Sequence, residues 1–175
     1  TYLDRVAALR LRVLPDKSLP RNGPGTAANG NFVLTKLRIQ SRGKPIAISH
    51  AFADHEQPGY PIAGTLDQDA KSGWAINVGG TRKATMNSPH EAVFVFREPL
   101  ETKGGPLEVT MEHTLNESYL VGRFAIELSP TAPPAPASKP AEIVKPRKGR
   151  VMVMKELPKP RSTFLFTRGD FTRPH

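Results

Sequence analysis

The sequence predicts an all-β protein, an antiparallel β-sandwich with almost no helix. Apolar and polar residues alternate with a period of two in several short runs, as they do in strands with one buried face. Gly, Pro, Asn and Asp, which favour turns, separate these runs. No window holds apolar residues at a sustained helical spacing. Several short strands with turns between them are typical of a β-sandwich.

Three strands are predicted in the first part of the chain, at residues 6–13, 31–39 and 46–52. In the first strand, aliphatic residues alternate with two arginines: Leu9, Leu11 and Val13 face one side, and Arg10 and Arg12 the other. The second strand is long enough to contain a bulge near Thr35. In the third, two isoleucines and a histidine are expected to share one face: Ile46, Ile48 and His50.

Residues 54–89 are predicted to form loops, because Gly, Pro, Asp, Ser and Asn dominate them. Strands are predicted again at residues 92–96, 107–112 and 122–128. In the run from 107 to 112 the apolar residues are expected to face the core and the polar ones the solvent: Leu107, Val109 and Met111 against Glu108, Thr110 and Glu112.

The composition changes at Ser129, which we take as a domain edge. We expect a β-sandwich module at residues 1–128 and a linker rich in Pro, Ala and Lys at 129–148, extended and sensitive to proteases around 130–140. Residues 149–175 contain two strand-like runs, Val151–Met154 and Thr163–Thr167. Two short strands are not stable alone. They either fold back on the sandwich as a hairpin or begin a following domain.

The net charge of +9 is concentrated in the tail. Residues 1–128 carry 15 Lys and Arg against 13 Asp and Glu, whereas residues 129–175 carry 10 against 3. A balanced core with a basic tail is not typical of a nucleic-acid groove, so we expect no nucleic-acid partner. The sequence contains no cysteine, which excludes thiol catalysis and Cys-based metal sites. No apolar run approaches the length of a membrane span, so we expect no membrane insertion.

Several separated segments agree, in order, with one known family. The segments are Leu14–Pro20, Gly23–Gly25, Asn29–Leu34, Gly59–Ala63 and Gly73–Ile76. Together they resemble the β-sandwich insert of the large planctomycete-type cytochrome-c-linked proteins. The run Ser162–Phe171 resembles the opening of the domain that follows that insert. This resemblance implies that the chain is part of a larger exported protein, periplasmic or at the cell surface, and the Thr at position 1 agrees with a fragment.

The order Tyr60, Pro61, Asp67, Trp74 is similar to a pattern of the discoidin, or coagulation-factor type C, domains and of carbohydrate-binding jelly rolls. The resemblance implies a galactose-binding-like jelly roll. It departs from the pattern at Gln68, where Gly is usual, and in an insertion-like loop from residue 77 to 88. The candidate ligand-binding residues are Tyr60, Trp74, Asn77, Arg82 and His90.

Each candidate also has a purely structural interpretation. Trp74, the only Trp, could stack on a sugar, but a large aromatic more often fills a core, and we favour that interpretation. Tyr60 beside Pro61 more often caps a loop than extends a stacking surface. Asp67 and Asp69 could offer oxygens to Ca²⁺, and no other cofactor is expected. We favour the alternative, in which Asp67 hydrogen-bonds backbone amides in a turn.

No catalytic motif is found in the sequence. The five histidines lack zinc-site spacing, and His113 is interpreted as a satisfied histidine at the core or its rim. Glu108 and Glu112 could form a carboxylate pair, although such pairs usually belong to a solvated strand face. We therefore predict a non-catalytic module, carbohydrate-binding-like, that contacts a glycan or neighbouring domains of its parent protein. The alternative is a structural, interdomain scaffold without a small ligand.

Overall fold

The computed structural model describes residues 3–77 and 86–134. These residues form seven strands and two short 3₁₀ turns, the latter at Pro20–Asn22 and Ile62–Thr65. The strands are β1 (Arg5–Val13), β2 (Lys36–Ser41), β3 (Lys44–Pro45), β4 (Ile48–Ala53), β5 (His90–Glu101), β6 (Leu107–Glu112) and β7 (Phe124–Ser129). In this part of the chain no helix is long and apolar enough to cross a membrane.

The strands form two antiparallel sheets, with the orders β4-β5-β1-β7 and β3-β2-β6. Their facing sides enclose one apolar core that draws residues from both sheets. The predicted all-β sandwich is thus confirmed. Only Ile46 and Ala47 separate β3 from β4, so these two edge strands lie on one side of the sandwich. The other two edges, β6 and β7, lie on the opposite side, joined by residues 113–123.

The alternation predicted for the first strand determines the two faces of its sheet. Leu9, Leu11 and Val13 are fully buried between the sheets. Arg10 and Arg12 lie on the outer face, where both donate to Glu127 of β7, at 2.8 Å from Arg10 Nε and 3.2 Å from Arg12 Nη1. A register shift between Val6 and Ala8 changes which side chains face inward, so the alternation holds only beyond the shift.

Three predicted strands differ from the observed ones. The strand predicted at residues 92–96 is longer in the structure, where β5 runs from His90 to Glu101. Residues 31–35 do not extend β2: Leu34 pairs with Trp74 in an isolated bridge, and the hydroxyl of Thr35 donates to the Glu112 carbonyl at 2.8 Å and accepts from the backbone N–H of Thr114 at 3.1 Å. His50 does not share a face with Ile48, because a register shift separates them on β4. His50 instead stacks on Phe52 on the outer side. The predicted linker beyond residue 134 and the segment 149–175 lie outside the described residues.

Candidate functional site

The loop layer, which we define as residues 54–77, is built around Trp74. This side chain is fully buried and meets the ring of Phe32 edge-on, with centroids 5.0 Å apart. Its backbone pairs with Leu34 in an isolated bridge, and its Nε1–H donates to the His55 carbonyl at 2.8 Å. The favoured interpretation of Trp74 as a core residue is confirmed. The alternative is wrong, because a ring with no exposed face cannot stack on a sugar.

Tyr60 lies half-buried in the same layer and closes a tight turn. Its backbone N–H donates to the Gln57 carbonyl at 2.9 Å, and its own carbonyl accepts from the N–H of Ala75 at 3.4 Å. The turn is thereby tied to the segment that carries Trp74. Tyr60 and Trp74 are neighbours through the backbone, but they offer no joint aromatic platform because only Tyr60 reaches the surface.

The turn containing Asp67 and Asp69 encloses the side chain of Lys36. The Nζ atom lies near four oxygens of that turn: 2.8 Å from Asp67 Oδ1, 2.8 Å from the Asp69 carbonyl, 3.3 Å from the Gly64 carbonyl and 3.4 Å from Ser72 Oγ. Only 11% of the Lys36 side chain is exposed. The ammonium group therefore lies opposite Asp67 inside this turn, and the chain itself supplies the positive charge there.

Asp67 organises this turn through several hydrogen bonds. Its Oδ1 accepts from the backbone N–H of Asp69 at 2.9 Å, which confirms the favoured interpretation of Asp67 as a turn residue. The hydrogen bond from Lys36, with a second from Ser72, lowers the pKa of Asp67 to about 2. Asp67 thus stays ionised opposite Lys36 well into the acid range. In the described ranges no group of three or more His, Cys, Asp or Glu could hold a metal ion.

His90 is the buried member of a cluster at the start of β5, beside the exposed Asp54 and the half-buried His55. Its Nδ1 lies 3.0 Å from Asp54 Oδ2, and its ring stacks on His55 with centroids 4.9 Å apart. Burial alone would raise the pKa of Asp54, but hydrogen bonds from His90 and from the backbone N–H of Glu91 hold it below its usual value. His55 Nε2 lies 3.0 Å from the carbonyl of Ile76, so this nitrogen carries the proton. With 6% of its surface exposed, His90 has a packing role in the described fold.

The other two candidate ligand-binding residues lie at or beyond the end of the described loop layer. Asn77 is half-buried and adjoins residues 78–85, and Arg82 lies outside the described residues. Two buried polar residues that organise the loop layer were missed by the sequence analysis: Lys36, and Asn31, whose amide donates to Gln57 Oε1 at 3.1 Å and accepts from the N–H of Ile76 at 3.2 Å. Their only sequence signal is a polar residue flanking an apolar run. In the described part, no buried side-chain N or O atom lacks a partner.

His113 lies half-buried just after β6. Its Nε2 accepts a hydrogen bond from the backbone N–H of Val121 at 3.2 Å, so that nitrogen is unprotonated. Burial lowers the pKa of His113. The interpretation of His113 as a satisfied rim residue is confirmed.

The side of the sandwich opposite β3 and β4 is open. On β7, Phe124 and Ile126 pair with Val13 and Leu11 and therefore point inward, yet they are 44% and 38% exposed. On β6 the inward residues are only half-buried. We call this surface the open seam; its inward residues are Leu107, Val109, Met111, Phe124 and Ile126. Two further exposed apolar side chains lie on the segment between the two strands, Leu115 and Leu120.

A small cleft lies on the other side, where β2 and β3 approach β4. Its volume is about 240 Å³. Polar side chains of β2 and of the Asp67 turn border it together with aliphatic ones. The polar members include Arg38, Gln40, Asp67 and Gln68.

No protein-family model matches this chain. No curated protein and no solved structure matches it significantly either. Its function is therefore inferred from the geometry of the loop layer, the open seam and the cleft.

Proposed function

We propose that this chain is a non-catalytic structural module of a larger exported protein, a jelly-roll-type sandwich that organises neighbouring protein segments through the open seam. The observation that carries the proposal is the exposure of Phe124 and Ile126, two inward-pointing residues of an edge strand. Contiguous exposed apolar surface of this kind is typical of protein contact sites. An edge strand also offers backbone groups for pairing with another strand.

The loop layer supports the same proposal. Trp74, Lys36 and His90 already contact other residues of the fold. A ligand that used them would have to displace those contacts, and each buried group left unpaired costs about 1–3 kcal/mol. These contacts support a packing role for the three residues.

A second candidate is glycan binding at the cleft between β2 and β4. Its favouring observation is the mixed lining, with Arg38, Gln40 and Gln68 beside aliphatic residues, because sugar sites combine apolar surface with a few placed polar groups. At about 240 Å³ the cleft is smaller than typical ligand pockets, which span about 300–1,000 Å³. This candidate therefore stands behind the first.

A glycan array probed with the whole chain, with and without calcium, tests the proposal. The structural function predicts no reproducible glycan signal and no effect of calcium. Two variants test the second candidate, glycan binding at the cleft. Gln40→Ala changes the cleft, and Gln57→Ala in the loop layer is its control. Glycan binding that Gln40→Ala abolishes, while the melting temperature stays unchanged, would establish the second candidate and overturn the first.

A further inference from the structure

We propose that the open seam binds the C-terminal segment of the same chain, residues 149–175, with Phe164 and Phe166 covering Phe124 and Ile126. This inference rests on the proposed function, since it takes the seam to be a protein contact surface and names its occupant. The segment would pair with the outer edge of β7 as an added strand.

The edge of β7 is available for such pairing. Within the described residues β7 lies at the end of its sheet, beside β1 alone. The inner surfaces of β6 and β7 face each other across the seam, and the apolar side chains there are partly exposed. One further strand beside β7, with large apolar side chains turned inward, would bury Phe124 and Ile126 and close the sandwich. Burying each such side chain fully contributes roughly 1.5–3 kcal/mol.

The chain is long enough to place the segment there. β7 ends at Ser129, and 33 residues lie between Ser129 and Thr163. An extended Pro-rich spacer covers about 3.1 Å per residue. A six-residue strand is about 20 Å long. An antiparallel strand beside β7 begins near the Ser129 end of β7, so a connection of 33 residues reaches it without a strained turn.

The chemistry of the segment fits the seam. Phe164 and Phe166 alternate with Thr163, Leu165 and Thr167, so the two rings point to one side of a strand. The charges are opposite in sign. Residues 107–129, which contain both edge strands, carry four Glu and one Arg. Residues 149–175 carry six Lys and Arg against two acids. Opposite charge favours the encounter and discriminates against a second copy of the acidic edge.

Disulfide trapping in the full chain tests this docking, since the protein has no cysteine of its own. The test pair is Ile126→Cys with Phe164→Cys. The matched control is Ala47→Cys with Phe164→Cys, because residue 47 is exposed beside β4 on the opposite side. We expect the monomer to form the intramolecular disulfide at least about tenfold faster in the test pair, because docking raises the local thiol concentration.

Two outcomes overturn the docking. Equal rates in the two pairs mean that the segment does not occupy the seam. A predominantly intermolecular disulfide means that a second copy occupies it, which leaves the seam a protein contact surface and the proposed function intact.

Hydrogen exchange gives a second measurement that needs no cysteine. In the full chain, Phe164→Asp with Phe166→Asp should speed amide exchange in residues 124–129 by about tenfold or more, because an uncovered edge strand loses protection. The control is Thr163→Asp with Thr167→Asp, whose side chains alternate with the two rings. Unchanged exchange in the Phe variant contradicts the docking.

Discussion

Lys36 Nζ and Asp67 Oδ1 lie 2.8 Å apart inside the turn formed by residues 64–72. The same ammonium group contacts two backbone carbonyls of that turn, Gly64 and Asp69. The lysine therefore joins β2 to the loop layer from within, as a bound cation would. Two acidic residues that resemble part of a calcium site in the sequence thus become part of the fold's own packing.

Replacing Lys36 by Met should destabilise the chain. Methionine fills similar space but removes the buried ammonium group and its hydrogen bonds, at a cost of about 1–3 kcal/mol, although Ser72 Oγ still contacts the Gly64 and Asp69 carbonyls. Urea unfolding at neutral pH measures this change. Lys44→Met is the matched control, since Lys44 is exposed on β3, and it should change stability by less than about 0.5 kcal/mol. Equal effects would show that the Lys36 contacts contribute nothing specific.

The lowered pKa of Asp67 predicts how the stability of the fold changes with pH. Its pKa is about 2 in the folded chain against an ordinary value of 3.8. Because the folded pKa is lower, the stabilisation is present above pH 3.8 and disappears as the pH falls towards 2. Asp67→Asn should therefore be less stable than the natural chain at pH 6, and the gap should close below pH 3.8 in urea unfolding. With Glu117→Gln as control, a gap that persists unchanged to pH 2 would contradict the ion pair.

Sequence reasoning succeeded where one face of a strand is apolar. The bounds predicted for β6 match the structure, and the inward set of β1 follows from Leu9, Leu11 and Val13 alone. It failed at residues 31–35, where Leu34 pairs with Trp74, far along the chain, and does not extend β2. The contact between Lys36 and Asp67 could not be predicted either. The two residues are 31 positions apart, and the sequence around each of them does not indicate the other.

Trp74 should report a fully buried position. We expect a blue-shifted emission maximum and slow acrylamide quenching in the native chain, both lost on unfolding. Trp74→Ala should cost about 3–5 kcal/mol, as large-to-small changes do in cores. Tyr60→Ala, at a half-exposed aromatic of the same layer, serves as the control and should cost clearly less in the same denaturant titration. A freely quenched Trp74 would contradict its burial.

His113 should make the fold weaken with mild acid. Burial lowers its pKa below the ordinary 6.5, so the unfolded chain binds a proton more readily than the folded chain. Stability should then fall as the pH drops from 7 through 6.5 towards the lowered value. His113→Gln, which cannot titrate, should reduce that slope. Parallel slopes of unfolding free energy in the natural chain and in His113→Gln would refute this role.

Gly73 is required by a close approach of two chain segments. Its φ is +151°, and an added Cβ would lie 2.5 Å from the Leu34 carbonyl oxygen and 2.9 Å from Thr35 Cα. These are backbone atoms that cannot yield easily, so Gly73→Ala should cost more than about 2 kcal/mol. Gly43→Ala has a positive φ of +72° but open space, and should cost about 1 kcal/mol. Thermal melts of both variants measure the difference.

The central place of β1 has a consequence for synthesis. Its two neighbours, β5 and β7, arrive from the second half of the chain, and the pairing of Val13 with Phe124 spans 111 positions. At about 5–20 residues per second, a ribosome needs on the order of ten seconds to make that interval. During these seconds Leu9 and Leu11 lack the strands that later bury them, because β5 and β7 have not yet been synthesised in full. The pace of translation, more than chain diffusion, therefore sets the earliest moment at which the sheet can close.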